Sequence, residues 1–113
     1  MQTVVELPEF RTRAKSLLTD AERESIVQYL AMHPEAGAIM KGTGGVRKLR
    51  WPAKGKGKSG GVRIVYFIHN PSMPLFLLTV FAKGDKANLS RGECNELARL
   101  SALLVKSYGE DSE

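Results

Sequence analysis

Four cations near the middle of this chain, Lys48, Arg50, Arg63 and Lys83, stand on or beside three predicted strands. Lys48 and Arg50 sit two apart in VRKLRW (46–51), so on a strand they share one face, away from Leu49 and Trp51. Arg63 opens VRIVYFI (62–68), and Lys83 follows LFLLTVFA (75–82). If successive strands are antiparallel neighbours, starts meet ends. Arg63 and Lys83 then lie at one edge of the sheet, and Lys48 or Arg50 can reach it. The sequence around them offers no Ser-His-Asp set, no paired carboxylates and no metal-ligand spacing, so no metal or cofactor is expected. One reaction suits bare cations. The 2′-hydroxyl of RNA can attack the adjacent phosphate and expel the 5′-oxygen, so the substrate supplies its own nucleophile. A protein then has to orient it, stabilise the charge on the phosphorane-like transition state and move two protons. Arginine suits the charge role because its fork binds two phosphate oxygens and stays protonated. A lysine set among other cations gives up its proton more readily and can act as a general base. DNA lacks the 2′-hydroxyl and could be bound but not cut this way.

The loop KGKGKSGGVR (54–63) leads into that arginine. It ends like a phosphate-binding P-loop at Gly57-Lys58-Ser59, but Pro52 occupies the position where the first glycine belongs. A strand rather than a helix follows, so no helix N-terminus is available to hold a phosphate. Lys54, Lys56 and Lys58 are better read as contacts to the backbone of a large RNA.

Charge distribution points the same way. The chain has 113 residues and a net charge of +5. Between Lys41 and Lys86 stand ten basic residues and one acid, Asp85, while the flanks are mildly acidic. Such a field attracts a polyanion, nucleic acid first among them. The length suits one domain, residues 1–113, with one modest core. No apolar run approaches the roughly 20 residues needed to span a membrane. The start, MQTVVELPEFRTR, lacks a signal-peptide pattern. Cys94 stands alone, which excludes an internal disulfide and suits a reducing cytoplasm. In a helix it reads as a small core residue.

The elements that would position the cations are legible. Residues 3–7 (TVVEL) predict a short edge strand, and Pro8 ends it or starts a helix. Residues 9–18 predict a helix. Thr19-Asp20-Ala21-Glu22 fits a capping box, with a helix from Asp20 to Met32 whose apolar stripe is Ile26, Tyr29 and Leu30. His33-Pro34 ends it. A turn at Gly42-Thr43-Gly44-Gly45 precedes the three strands, and Asn70-Pro71-Ser72 turns between the last two. Nearly continuous apolar runs imply that both sheet faces are covered. Ser90-Arg91-Gly92-Glu93 is a second capping box, opening a helix with Leu97, Leu100 and Leu104 on one stripe. The order is β-α-α-β-β-β-α and the class is α+β, with a small, largely antiparallel sheet. Tyr66 reads as a core tyrosine, Trp51 as core packing or a base-stacking surface. His33 reads as structural, and His69 as a residue at the hairpin able to move a proton.

GTGGVRKLR (42–50), KGKGKSGGVRIVY (54–66) and LLTVFAK (77–83) together resemble the HigB toxins of the RelE superfamily. The resemblance covers about Gly42 to Lys86, and the flanking helices agree in order. It implies a ribonuclease toxin that cuts mRNA on the ribosome, in the cytoplasm, and a cognate HigA-like antitoxin with a helix-turn-helix that represses the shared operon. By position, Arg63 matches the superfamily's phosphate-binding arginine. Lys48 and Arg50 match the basic pair on the preceding strand, one of them a candidate base. Lys83 matches a basic residue that assists the transition state or leaving group, with Lys86 a nearby alternative. Arg47, Lys54, Lys56, Lys58 and Lys86 would face RNA. The chain departs from the pattern in one place. Many RelE enzymes carry a tyrosine shortly after the last basic position, where this chain has Lys86-Ala87-Asn88-Leu89. That leaves the acid/base roles to the lysines and His69, or a weaker activity. Two other readings remain. ParE toxins use the same fold to poison DNA gyrase without cleavage, and a plain RNA-binding module would need no catalysis.

Overall fold

The computed structural model describes residues 1–53, 60–84 and 88–109. Strand β1 (Val4–Glu6) leads into helices α1 (Pro8–Leu17) and α2 (Asp20–Met32). Strands β2 (Ala38–Ile39), β3 (Val46–Trp51), β4 (Val62–Phe67) and β5 (Leu75–Ala82) follow, then helix α3 (Arg91–Leu104), which widens into a π-helical turn at Val105–Gly109. The five strands form one sheet in the order β1-β5-β4-β3-β2. Only the β1–β5 pair is parallel; the other three are antiparallel. The α+β class and the largely antiparallel sheet agree with the sequence. The two-residue β2 is an addition. It pairs Ala38 with Lys48 and Ile39 with Arg47, and closes the second edge of the sheet. Too short for an alternation signal, it exists because β3 offers it a ladder.

Local chemistry starts each helix. Pro8 occupies the first turn of α1, where its missing N–H costs no bond. Thr19 and Ser90 cap α2 and α3, each hydroxyl accepting the backbone N–H of the glutamate three residues on. The glutamates return the interaction, Glu22 to Thr19 N–H at 2.9 Å and Glu93 to Ser90 N–H at 2.8 Å. Losing such a cap costs about 1 kcal/mol.

Two cores sandwich the sheet. On one face Phe10, Ala14 and Leu17 of α1 and Ile26 and Leu30 of α2 bury against Val62, Ile64, Tyr66, Leu75, Leu77 and Val80. On the other, Leu104 of α3, with Leu97 and Leu100 beside it, packs against Val46, Val65, Phe67, Phe76, Leu78 and Phe81. Each fully buried large apolar side chain contributes about 1.5–3 kcal/mol. Tyr29 departs from the expected stripe: Ile26 and Leu30 are fully buried, but Tyr29 remains 40% exposed.

A β-bulge decides which residues of β5 face which core. Val65 pairs with Thr79 while its neighbour Tyr66 pairs with Leu77, so Leu78 is the extra residue. Alternation has period two, and one inserted residue reverses it. Leu75 and Leu77 therefore share a core with Val80 and Ala82, although their parities differ. The uninterrupted apolar run LFLLTVFA is the trace of this switch.

Candidate functional site

The β3–β4–β5 register brings the expected cations to one end of the sheet. Arg50 lies directly opposite Arg63, and Arg63 lies opposite Phe81 on its other side. Partners across a ladder present their side chains to the same face, so the two guanidinium groups stand together on the α3 face. Lys83 is one step past the end of β5, and its N–H donates to the Gly61 carbonyl at 3.2 Å, extending the ladder by one bond. Because the bulge has reversed parity, Phe81 and the step after it, Lys83, follow the face of Arg63. A Cβ added to Gly60 would lie 3.7 Å from both Cβ and Cδ of Lys83, so this lysine runs along the turn that precedes Arg63. Gly61 adopts φ +74°, and a side chain there would meet the Trp51 carbonyl at 2.7 Å. Glycine thus lets the chain enter β4 tightly against the end of β3. The result is a cleft of about 240 Å³ bounded by Arg50, Trp51, Pro52, Gly61 and Arg63 among others.

The electrostatics of this end are unusual for a strand pair. Like charges directly opposite on neighbouring strands are destabilising by roughly 0.2–1 kcal/mol. Among the described residues no ion pair joins Arg50 or Arg63 to a carboxylate, whereas elsewhere Arg13 pairs with Glu9 at 3.3 Å and Arg23 with Glu6 at 2.9 Å. Arg63 is half-buried and its Nη1 makes a long contact, 3.4 Å, to the Val62 carbonyl, the one hydrogen bond its fork makes among the described residues.

The remaining candidates divide. Lys48 shares the face of Arg50 but lies one alternation further along β3, opposite Val65. Its ammonium is drawn towards the loop before α3, 3.4 Å from Asn88 Oδ1. Asn88 was legible only as the place of an absent tyrosine. Its link to a lysine forty residues away has no sequence signature. Arg47 is on the opposite face, with Nη1 donating to the carbonyls of Gly37 at 2.7 Å and Glu35 at 3.2 Å. There it braces the loop after α2. Gly37 in turn donates its N–H to the Tyr66 hydroxyl at 2.8 Å. Tyr66 is fully buried, and burial raises its pKa above the ordinary tyrosine value, partly countered by that hydrogen bond and by Arg47. This is the core tyrosine expected from the sequence.

His69 follows β4 at the end opposite Arg63, six residues on, which at about 3.3 Å per residue puts it some 20 Å away. It is exposed, near the Phe67 ring, and outside reach of the cleft. Proton transfer at this cleft is therefore left to groups other than His69. His33 caps α2 and packs on Tyr29, as a structural reading implies. Cys94 is half-buried beside Met40, Lys48 and Asn88 rather than in a core. Trp51 packs partly on the α1–α2 core and also lines the cleft. Lys54, Lys56, Lys58 and Lys86 lie outside the described residues. Within the described residues no group of three or more His, Cys, Asp or Glu is placed to hold a metal ion, and no helix is long and apolar enough to cross a membrane.

Comparison with protein families places this geometry in context. Residues 10–111 match the family model described as the RelE toxin of the RelE/RelB toxin-antitoxin system, a span that takes in most of α1 and all of α2, the cationic sheet end and α3.

Proposed function

The chain belongs to the RelE toxin family of toxin–antitoxin systems, and from that premise we propose a HigB-type, ribosome-dependent endoribonuclease that cleaves mRNA without a metal. The observation that carries this reading is the Arg50–Arg63 pair, held opposite in register with Lys83 at the same sheet end. A fold that sets two cations side by side, with no carboxylate among the described residues pairing with either, is matched to a phosphodiester, whose charge removes the repulsion on binding.

In the proposed reaction, Arg63 and Arg50 fork the non-bridging oxygens of the scissile phosphate. The 2′-oxygen forms its bond to phosphorus as the bond to the 5′-oxygen breaks. The products are a 2′,3′-cyclic phosphate and a 5′-hydroxyl. Two protons move: one leaves the 2′-hydroxyl for a base, and one arrives on the 5′-oxygen. Since arginine stays protonated, Lys48 is the better base of the β3 pair and Lys83 the group nearest to serve the leaving oxygen. Asn88 orients Lys48 Nζ, which takes the proton as the neutral amine. Lys54, Lys56 and Lys58, with Lys86, supply contacts to ribosomal RNA. Arg47 stands apart from this set by its position on the other face.

The family carries an antitoxin partner; a HigA-like protein with a helix-turn-helix is the one proposed here, with both proteins in the cytoplasm. Primer extension on a reporter mRNA, with and without translating ribosomes, tests the activity. Cuts confined to ribosome-bound message are expected. Cuts on free RNA would remove ribosome dependence and the docking role of the lysine loop. No cuts in either, with inhibition of gyrase supercoiling, would replace the nuclease by a ParE-like poison.

A further inference from the structure

The cationic cleft does not end at Trp51. Trp51 lines the end of the cleft with Arg50 and Arg63, but its side chain alternates to the α1–α2 face of β3, where its ring meets the Tyr29 ring edge-on with centroids 5.5 Å apart. Tyr29 in turn packs on His33 at 4.8 Å. Tyr29 and His33 are four apart, so the end of α2 presents them on one face, one above the other. Both are exposed although Ile26 and Leu30 on the same helix are fully buried. Beyond them an open concavity of about 430 Å³ is bounded by Tyr29, His33, Pro34 and Glu35. Its rim is rigid. Arg47 holds the carbonyls of Glu35 and Gly37, and the Gly37 N–H is held by buried Tyr66. Three aromatic rings thus lead from the cationic cleft to a hollow lined by no lysine or arginine and by one acidic residue, Glu35.

We propose that Trp51, Tyr29 and His33 form a stacking track for the bases of single-stranded RNA that passes round the end of the sheet from the phosphate held at Arg50 and Arg63. The inference rests on the RNA target proposed above and adds a base-binding subsite to it. Cations alone bind phosphates without regard to bases; aromatic faces bind bases without regard to charge. Contiguity of the two is the arrangement that single-stranded nucleic acid binders use, and it favours RNA over a protein partner on this surface. The braced rim lowers the ordering that binding demands of the loop beside the track.

The chain's single tryptophan reports directly on the track. The probe is a hexa-adenylate RNA titrated into the full-length protein at salt high enough to weaken phosphate contacts, read by Trp51 fluorescence. Saturable quenching is expected, and is expected to vanish with an oligonucleotide of equal length lacking bases and with inorganic polyphosphate. Tyr29→Leu keeps apolar volume at a half-exposed site and removes the aromatic face. It should weaken binding about tenfold, within the range for loss of one stacked base, while Tyr29→Phe stays within about twofold. Equal quenching by the abasic strand, or unchanged affinity in Tyr29→Leu, overturns the track. So does a Tyr29→Leu protein that keeps its RNA affinity but loses its antitoxin, which would make the surface a protein interface. Because the readout is binding and not cleavage, a protein that stacks RNA yet cuts nothing overturns the nuclease and leaves the track. One that cuts on ribosomes but ignores bases does the reverse.

Discussion

Replacing Arg63 by glutamine separates a catalytic arginine from a structural one. Two effects oppose each other. The guanidinium is one of two forks proposed to hold the phosphorane-like transition state, and deleting one such donor costs about 10²- to 10³-fold in rate. For the fold the sign is reversed. Arg63 faces Arg50 across the ladder, and relief of that repulsion returns about 0.2–1 kcal/mol. The only hydrogen bond it makes among the described residues is long, 3.4 Å to a neighbouring carbonyl, so little is lost with it. In a chain of this size 1 kcal/mol corresponds to a Tm shift of about 4 °C. The expected variant is therefore inactive and as stable as the parent, or more stable by up to about 4 °C. Single-turnover cleavage on programmed ribosomes and thermal melts in low salt measure the two quantities. Arg63→Lys should fall between, since it keeps the charge and loses the fork. Arg50→Gln should give a similar gain in Tm, and the double variant should gain less than both together, because the repulsion can be removed only once. A rate within tenfold of wild type refutes the assignment. A Tm lower by more than about 5 °C refutes the electrostatic reasoning and makes Arg63 part of the scaffold.

Other perturbations follow from the same geometry. Tyr66 is buried with its pKa raised, so its stabilising contribution is complete below the ordinary tyrosine pKa of about 10 and declines as pH climbs above it, where the unfolded chain ionises first. Tyr66→Phe should lower stability near neutral pH by about 1–3 kcal/mol, through the unpaired Gly37 N–H, and flatten the alkaline decline; urea titrations from pH 7 to 11 compare the slopes. Gly61→Ala places a Cβ 2.7 Å from the Trp51 carbonyl at a positive φ, and should cost at least about 1–2 kcal/mol while moving the turn that holds Lys83. Its urea midpoint and its cleavage rate should both fall, and an unchanged midpoint would contradict the tight-turn account. Changing Lys54, Lys56 and Lys58 together to glutamine should lower the slope of log affinity for ribosomes against log salt by about 2, with cleavage of bound message kept. An unchanged slope would remove the docking role.

Helix starts, strand spans and the α+β class were legible because their causes are local. A capping box at Thr19 or Ser90 is closed by a glutamate three residues on. Pro8 presets its own φ, and β-branched and aromatic runs mark β3, β4 and β5 almost to the residue. Two placements were not legible, for equally physical reasons. Tyr29 has helical spacing with Ile26 and Leu30, but spacing does not say where the neighbouring surface ends, and the ring lies beyond it against Trp51. Arg47 carries the same charge as its neighbours, yet period two alone turns it to the other face, where carbonyls of the preceding loop await it.

The cations themselves, their strands and the absence of acids among them are properties of the sequence. Their meeting is a property of the fold. Arg50 faces Arg63 only in the one register that buries Val62, Ile64 and Tyr66 against α1 and α2. The Leu78 bulge, visible beforehand only as a run too uniformly apolar to alternate, sets the face on which Phe81 and Lys83 follow. Strand β2 and the contact of Lys48 with Asn88 depend on chain segments that only the fold brings together. Sequence fixes a residue's neighbours along the chain. Which residues lie across the ladder is decided by the alignment that fills both cores at once, and that is an energy of the whole molecule.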